Sequence, residues 1–94
     1  VSGAERLWAR VIGQVQGVGF RWWTARQAEQ LGLTGWVRNE DDERTVEVLA
    51  EGAPQQLDAL ERRLRAGPHG ARVDHVEARR EPASGEYRRF EISR

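Results

Sequence analysis

Across residues 13–20, "GQVQGVGF", the apolar period of the chain changes, so no single element can carry both sides of that stretch. Before it, "RLWARVI" (residues 6–12) alternates, with Leu7, Ala9 and Val11 on one face and Trp8 and Ile12 on the other, which is the pattern of a strand. After it, from about Arg21 to Leu31, Thr24, Ala28 and Leu31 recur at helical spacing, and Gly32 is placed to end the helix. A strand must therefore run into a helix through a glycine-rich connection.

The remaining chain continues the alternation of types. "TGWVRN" (34–39) reads as a strand, "EDDER" (40–44) as a charged turn, and "TVEVLA" (45–50) as a strand with Val46 and Val48 on one face and Glu47 on the other. Pro54 suits the first turn of a second helix, along which Leu57, Leu60 and Leu64 form one apolar stripe, and Gly67-Pro68 stops it. "ARVDHVEARR" (71–80) and "YRRFEIS" (87–93) supply further strands, Phe90 and Ile92 alternating in the last. Val73 and Val76 are out of strict alternation, which predicts a bulge or register change there. The order is strand, helix, strand, strand, helix, strand, with room for a short fifth strand. It predicts an α+β fold of the ferredoxin-like, split β-α-β kind, an antiparallel sheet with both helices on one face. A chain of 94 residues suits one such domain, spanning 1–94.

Composition narrows the chemistry. Fifteen basic and fifteen acidic residues balance, so no net field draws the chain to nucleic acid or to a membrane surface. Every basic residue is arginine, which excludes a Schiff-base or P-loop lysine, and the absence of cysteine excludes thiolate chemistry and a disulfide framework. No apolar run approaches the roughly 18 residues that span a bilayer, and "VSGAERLWAR" lacks a secretory core. A cytoplasmic monomer is expected. His69 and His75 have no metal or triad spacing and no paired-carboxylate signature is present, so neither metal nor cofactor is expected and both histidines read as surface residues. Trp36 reads as a core residue. Trp22 and Trp23 are neighbours on a helix and cannot both face inward, so one is free to line a cleft or its rim. The arginine pairs 62-63, 79-80 and 88-89 read as solvated faces.

Gly17 and Gly19 flank Val18, and Arg21 opens the helix. Successive N–H groups ahead of a helix start can curl into a nest for an anion, and an arginine at the rim can donate two parallel hydrogen bonds to phosphate oxygens. The stretch is neither a Walker loop nor G-x-G-x-x-G, and from spacing alone it reads more readily as a connection whose arginine faces solvent. Asn39 has two readings as well: geometry for the turn that follows it, or an amide that fixes the direction of a water. "GFRWW" has the look of an aromatic RNA-binding motif, but such a motif belongs on a central strand and this one spans a loop and a helix start.

"GQVQGVGFR", followed at helix distance by "LGLTGWVRN", resembles the signature of the acylphosphatase family. "TVEVLAEG", "GPHGARVDHVE" and the closing "FEI" also fall where that family has them, so the resemblance covers nearly the whole chain. It implies a ferredoxin-like enzyme that hydrolyses acyl phosphates to a carboxylate and inorganic phosphate. It further implies that Gln16, Gly17, Val18, Gly19 and Phe20 wrap the phosphate with backbone amides, that Arg21 binds the phosphoryl oxygens, and that Asn39 orients the attacking water. A similar domain fronts larger carbamoyl-transfer proteins ahead of cysteine-rich segments; the cysteine-free sequence favours the free-standing enzyme. One departure stands out. Related sequences turn with Asp-Gly after the asparagine, whereas Glu40-Asp41-Asp42-Glu43 has no glycine and is one residue longer. Four carboxylates there are expected near the mouth of the phosphate site, where they would repel an anionic substrate.

Overall fold

The computed structural model describes residues 3–93, and its elements follow the expected order. They are β1 (Glu5–Gln14), α1 (Phe20–Gln30), β2 (Thr34–Asn39), β3 (Thr45–Gly52), α2 (Pro54–Ala66), β4 (Arg72–Pro82) and β5 (Phe90–Ile92). The sheet order is β4-β1-β3-β2-β5. The first four strands are mutually antiparallel where they pair, as expected. The short fifth is parallel to β2 and makes the sheet mixed. Its direction follows from connectivity: β4 finishes at the end of the sheet where β2 begins, and the chain crosses there to the opposite edge.

Both helices cover one face, α1 over β2 and β5, and α2 chiefly over β1 and β4. The buried layer between helices and sheet is the one the alternation names. Leu7, Ala9 and Val11 of β1 stand beside Val46, Val48 and Ala50 of β3, under Leu57, Leu60 and Leu64 of α2, all of them closed to solvent. The Pro54 start of α2 is observed, with Arg63 and Arg65 in the last turn, where cations favour the negative end of the helix dipole. Helix α1 closes with the Leu33 amide donating to the Ala28 carbonyl at 2.9 Å.

Strand β1 runs two residues further than its alternation predicts. Ile12 pairs with His75 but Gly13 pairs with Val73, so Asp74 is the extra residue of a bulge, and this is the register change that Val73 and Val76 signal. The bulge keeps Gly13 and Gln14 bonded to β4 and re-aims the end of β1 into the loop that follows.

Two expectations need correction. Trp36 is half-buried, because Val37 takes the covered face and Trp36 the open one, where the Arg38 guanidinium lies 4.8 Å from the ring centre. Several arginines expected to be merely solvated have partners. Arg79 lies 4.1 Å over Trp8, Arg80 ties β4 to Asp58 of α2 at 2.7 Å, and Arg63 joins the helices through Gln27 at 2.8 Å. Both histidines are exposed, as expected.

Candidate active site

The strand–helix–strand order brings three chain ends together. β1 and β2 run the same way and α1 runs back between them, so the end of β1, the start of α1 and the end of β2 meet at one end of the sheet. The loop 15–19 occupies that corner. Val15, 1% exposed, and Phe20, also 1% exposed, anchor it from either side, and Phe20 packs against Trp23 with ring centres 5.3 Å apart. Between those anchors Gly17 has φ 75° and Gly19 φ 78°, left-handed values that an L side chain adopts only at a cost of about 1–2 kcal/mol. Space is not the constraint there, because a Cβ on either glycine would meet nothing within 4 Å. Backbone conformation is what demands glycine.

Helix α1 begins without help. Gly19 at its N-cap supplies no side-chain bond, and no acidic residue stands in the first turn. The first amide drawn into the helix is that of Trp23, which donates to the Gly19 carbonyl at 3.0 Å. Among the described residues no acceptor is met by the amides of Gly17, Val18, Gly19, Phe20, Arg21 and Trp22. Six consecutive donors thus stand unpaired at the positive end of a helix, on a loop with two left-handed residues, an arrangement that favours an anion.

Gln16 works through its side chain. Its Nε2 donates to the carbonyls of Glu40 and Thr45, each at 2.9 Å, and so pins the loop to the turn that follows Asn39. Arg21 is half-buried and is paired with no carboxylate among the described residues. It lines a groove of about 800 Å³ between α1 and β5 with Trp22, Ala25, Phe90 and Ile92. Asn39 ends β2 opposite Val46, on the helix-covered face, and its buried Oδ1 accepts from no protein group. Thr24, fully buried on α1, likewise has a hydroxyl without a partner. Asn39 also borders a second recess, of about 690 Å³, with Trp8, Arg10, Arg38 and Glu47 of the open face. Arg21 and Asn39 therefore flank the loop from two sides and line different recesses. The loop itself, tied to the β2 end through Gln16, is what they share.

The family model for acylphosphatase matches residues 8–92. The chain belongs to the acylphosphatase family. An acylphosphatase of Arthrobacter sp. (strain FB24) is 52% identical over 87 residues, covering 93% of this chain and 79% of that one. The crystal structure of an acylphosphatase from Bacillus subtilis superposes with a TM-score of 0.91 at 32% identity, covering 96% of this chain and 99% of that one. Full-length HypF contains a similar region, with a TM-score of 0.86 at 26% identity, covering 96% of this chain and 12% of that one. The chain is thus an acylphosphatase enzyme on a ferredoxin-like α+β fold, and acyl phosphates are its substrates.

The acidic turn after Asn39 is organised by its own residues. Asp42 accepts from the amides of Arg44 and Thr45, each at 2.9 Å, and from the Thr45 hydroxyl. Those bonds, the hydroxyl's first, hold its carboxyl below the usual aspartate range. Glu40 turns to Arg10, which reaches it with Nε at 2.8 Å and Nη2 at 2.9 Å while Nη1 takes Glu77 at 2.9 Å. Glu43 stands where a glycine would serve, with φ 63°. Two of the four carboxylates are therefore already engaged, which leaves Asp41 and Glu43 as the exposed charges of the turn without a partner among the described residues. The sequence marks the loop, Arg21 and Asn39. It gives no sign that the Gln16 side chain serves the turn and not the anion.

Proposed function

We propose that the chain hydrolyses acyl phosphates without a metal ion, with the phosphoryl group held by the amides of the 16–20 loop and the first turn of α1, clasped by Arg21, and attacked by a water that Asn39 orients. The observation that carries this reading is the run of six unbonded amides at the start of α1. A phosphoryl group seated there would meet donors fixed in advance. It would also give Arg21 the anionic partner it lacks within the described residues. Charge-assisted bonds of this kind are worth about 1.5–3 kcal/mol each, enough for a few to hold a phosphate.

The chemistry asks little more of the protein. The water oxygen forms a bond to phosphorus as the bond from phosphorus to the acyl oxygen breaks, and that electron pair leaves on the carboxylate. A leaving group whose conjugate acid has a pKa of about 4 needs no general acid. The water's proton passes to a phosphoryl oxygen, and the products are a carboxylic acid anion and inorganic phosphate. Phosphoryl transfer of this type is accelerated chiefly by positioning and by stabilising charge on the equatorial oxygens. Amides and one guanidinium supply the second, and the side-chain amide of Asn39, at the end of β2 beside the turn that Gln16 ties to the loop, serves the first.

Trp22 gives the acyl group a place. It is 68% exposed, and Val18, in the loop itself, is 42% exposed; among the described residues these are the exposed large apolar side chains, and both flank the cradle. The same reading has one domain acting as a monomer in the cytoplasm, and no helix of the described residues is long and apolar enough to cross a membrane.

Turnover of benzoyl phosphate with excess chelator tests the proposal. Hydrolysis is expected to persist in chelator. It should fall about 100-fold or more in kcat for Asn39→Ala with inhibition by inorganic phosphate retained, and Arg21→Ala should lose both turnover and inhibition. A parent enzyme that stops when chelated, or an Asn39→Ala enzyme of parental kcat, contradicts the assignment.

A further inference from the structure

Arg10 stands on the face of the sheet that the helices leave open, with Glu47 of β3 and Glu77 of β4 directly beside it in the two ladders. A guanidinium so placed would ordinarily bond both neighbours. It takes Glu77 through Nη1 at 2.9 Å and leaves Glu47 aside. The Glu47 carboxylate is already occupied, Oε2 by the Trp8 indole N–H at 2.7 Å and Oε1 by Arg38 Nε at 2.7 Å. Arg10 instead reaches past the end of β2 and gives Nε and Nη2 to the two oxygens of Glu40, at 2.8 and 2.9 Å.

Two parallel bonds from a planar guanidinium fix direction as well as distance. The pair is sheltered too, with 31% of the Arg10 side chain and 26% of that of Glu40 exposed, so solvent screens it less than a surface pair. Residue 40 is also held through its backbone. Its amide donates to the Thr45 carbonyl at 2.9 Å, and its carbonyl accepts from Gln16 Nε2 at 2.9 Å. Strand β1, strand β3 and the 15–19 loop thus converge on the residue that follows Asn39. On its other side Asn39 is held by the β2–β3 ladder, opposite Val46. Its Oδ1 accepts from no protein group, so the aim of its side chain is set by where its backbone stands.

We propose that Arg10 and Glu40 are a positioning pair for hydrolysis, their two-bond bridge holding the backbone of Asn39 where its side-chain amide can direct the water. This rests on the proposed role of Asn39 in the same site. Neither partner touches the phosphoryl group or the leaving carboxylate. A carboxylate expected from the sequence to repel an anionic substrate is here matched by a guanidinium and serves the site through the chain. Without the bridge, residue 39 can shift and misdirect the water. The loop stays in place, because Gln16 bonds backbone carbonyls and not the Glu40 side chain.

The test is turnover of benzoyl phosphate by Arg10→Met, Glu40→Ala and the double variant, with parent, Asn39→Ala and Arg6→Met as references. Arg6→Met removes a different arginine–glutamate pair of β1, the one to Glu51 at the other end of the strand. Arg10→Met and Glu40→Ala should each lower kcat about 5-fold, with KM and inhibition by inorganic phosphate within about 2-fold of the parent. The double variant should be slower by the same factor of about 5 and not by about 25, since either change removes the same bridge. The side-chain amide resonances of Asn39 should move in all three and keep their parental positions in Arg6→Met, however far that variant is destabilised. A pair that serves stability alone would lower the melting temperature and leave kcat and those resonances unchanged, which overturns the proposal. So does a double variant slowed about 25-fold, or a loss that falls on KM and phosphate inhibition instead of kcat. An Asn39→Ala enzyme as fast as the parent removes the underlying reading and the proposal with it, whereas a slow Asn39→Ala beside a parental Arg10→Met overturns the pair alone.

Discussion

Glu43 holds φ 63° with a side chain that gains nothing from it: it is exposed and bonds to no group among the described residues. The conformation is imposed by its neighbours. Asp42 bonds the amides of Arg44 and Thr45 across it, and the Glu40 amide closes the turn on the Thr45 carbonyl at 2.9 Å. Glu43→Gly should therefore stabilise the protein by about 0.5–1 kcal/mol, the left-handed strain relieved being partly offset by the freedom glycine adds to the unfolded chain. Chemical denaturation checks it, and a variant of lower stability would mean that the Glu43 side chain has a role the fold does not display. The same comparison shows what single residues reveal before folding. Asn39 and Arg21 stand out through the resemblance to the acylphosphatase signature, since spacing alone leaves each with a structural reading as well.

At the scale of elements, the alternation of β1 and β3 and the leucine stripe of α2 place their residues correctly because one face of each is wholly apolar. The open face was harder to read. Trp36 is the largest apolar residue of β2, and size alone suggests burial, but the helices cover the side of Gly35 and Val37. Pairing of β5 with β2 was not legible either, since a strand of three residues after a long connection carries no register of its own. The proposed cradle belongs to this scale too, because the shape of the 15–19 loop depends on how it is tied to the β2–β3 turn. The Gln16 side chain makes both of its hydrogen bonds to that turn. Gln16→Ala should raise KM and weaken phosphate inhibition about 3–10-fold while changing kcat less, as expected when a binding loop loses two neutral hydrogen bonds and gains mobility. Steady-state kinetics separate the two constants, and a loss confined to kcat would assign Gln16 to the chemistry instead.

For the molecule as a whole, the charge balance of the sequence conceals an ordered arrangement. Glu51, 5% exposed on β3, accepts from Arg6 Nε at 2.8 Å, from the Ser84 amide and hydroxyl, and from the Gly85 amide, so one carboxylate holds the connection between β4 and β5 to the open face. Burial alone would push its carboxyl up, but the Ser84 amide, Arg6 and the Gly85 amide together bring it below the ordinary value of 4.5. Asp42 is displaced the same way from 3.8. Groups whose carboxyls are depressed on folding stabilise the native state above their unfolded values and lose that stabilisation as pH falls through the folded ones. Stability should therefore be insensitive to these two groups from about pH 5 to 8 and decline below about pH 4.5, with Glu51→Gln flattening part of the decline. Melting temperatures from pH 3 to 7 measure it; a decline of equal depth in Glu51→Gln would move the cause elsewhere.

The central claim is that an anion is held by backbone amides at the start of α1 with Arg21 at its side, and resonance shifts of those amides during titration with inorganic phosphate report on it most directly. The amides of Gly17, Val18, Gly19, Phe20, Arg21 and Trp22 should shift together along one saturable curve, and Arg21→Ala should abolish saturation while its spectrum remains that of a folded protein. Shifts centred on the open-face recess around Arg10 and Arg38, or none in the 17–22 segment, would contradict the account.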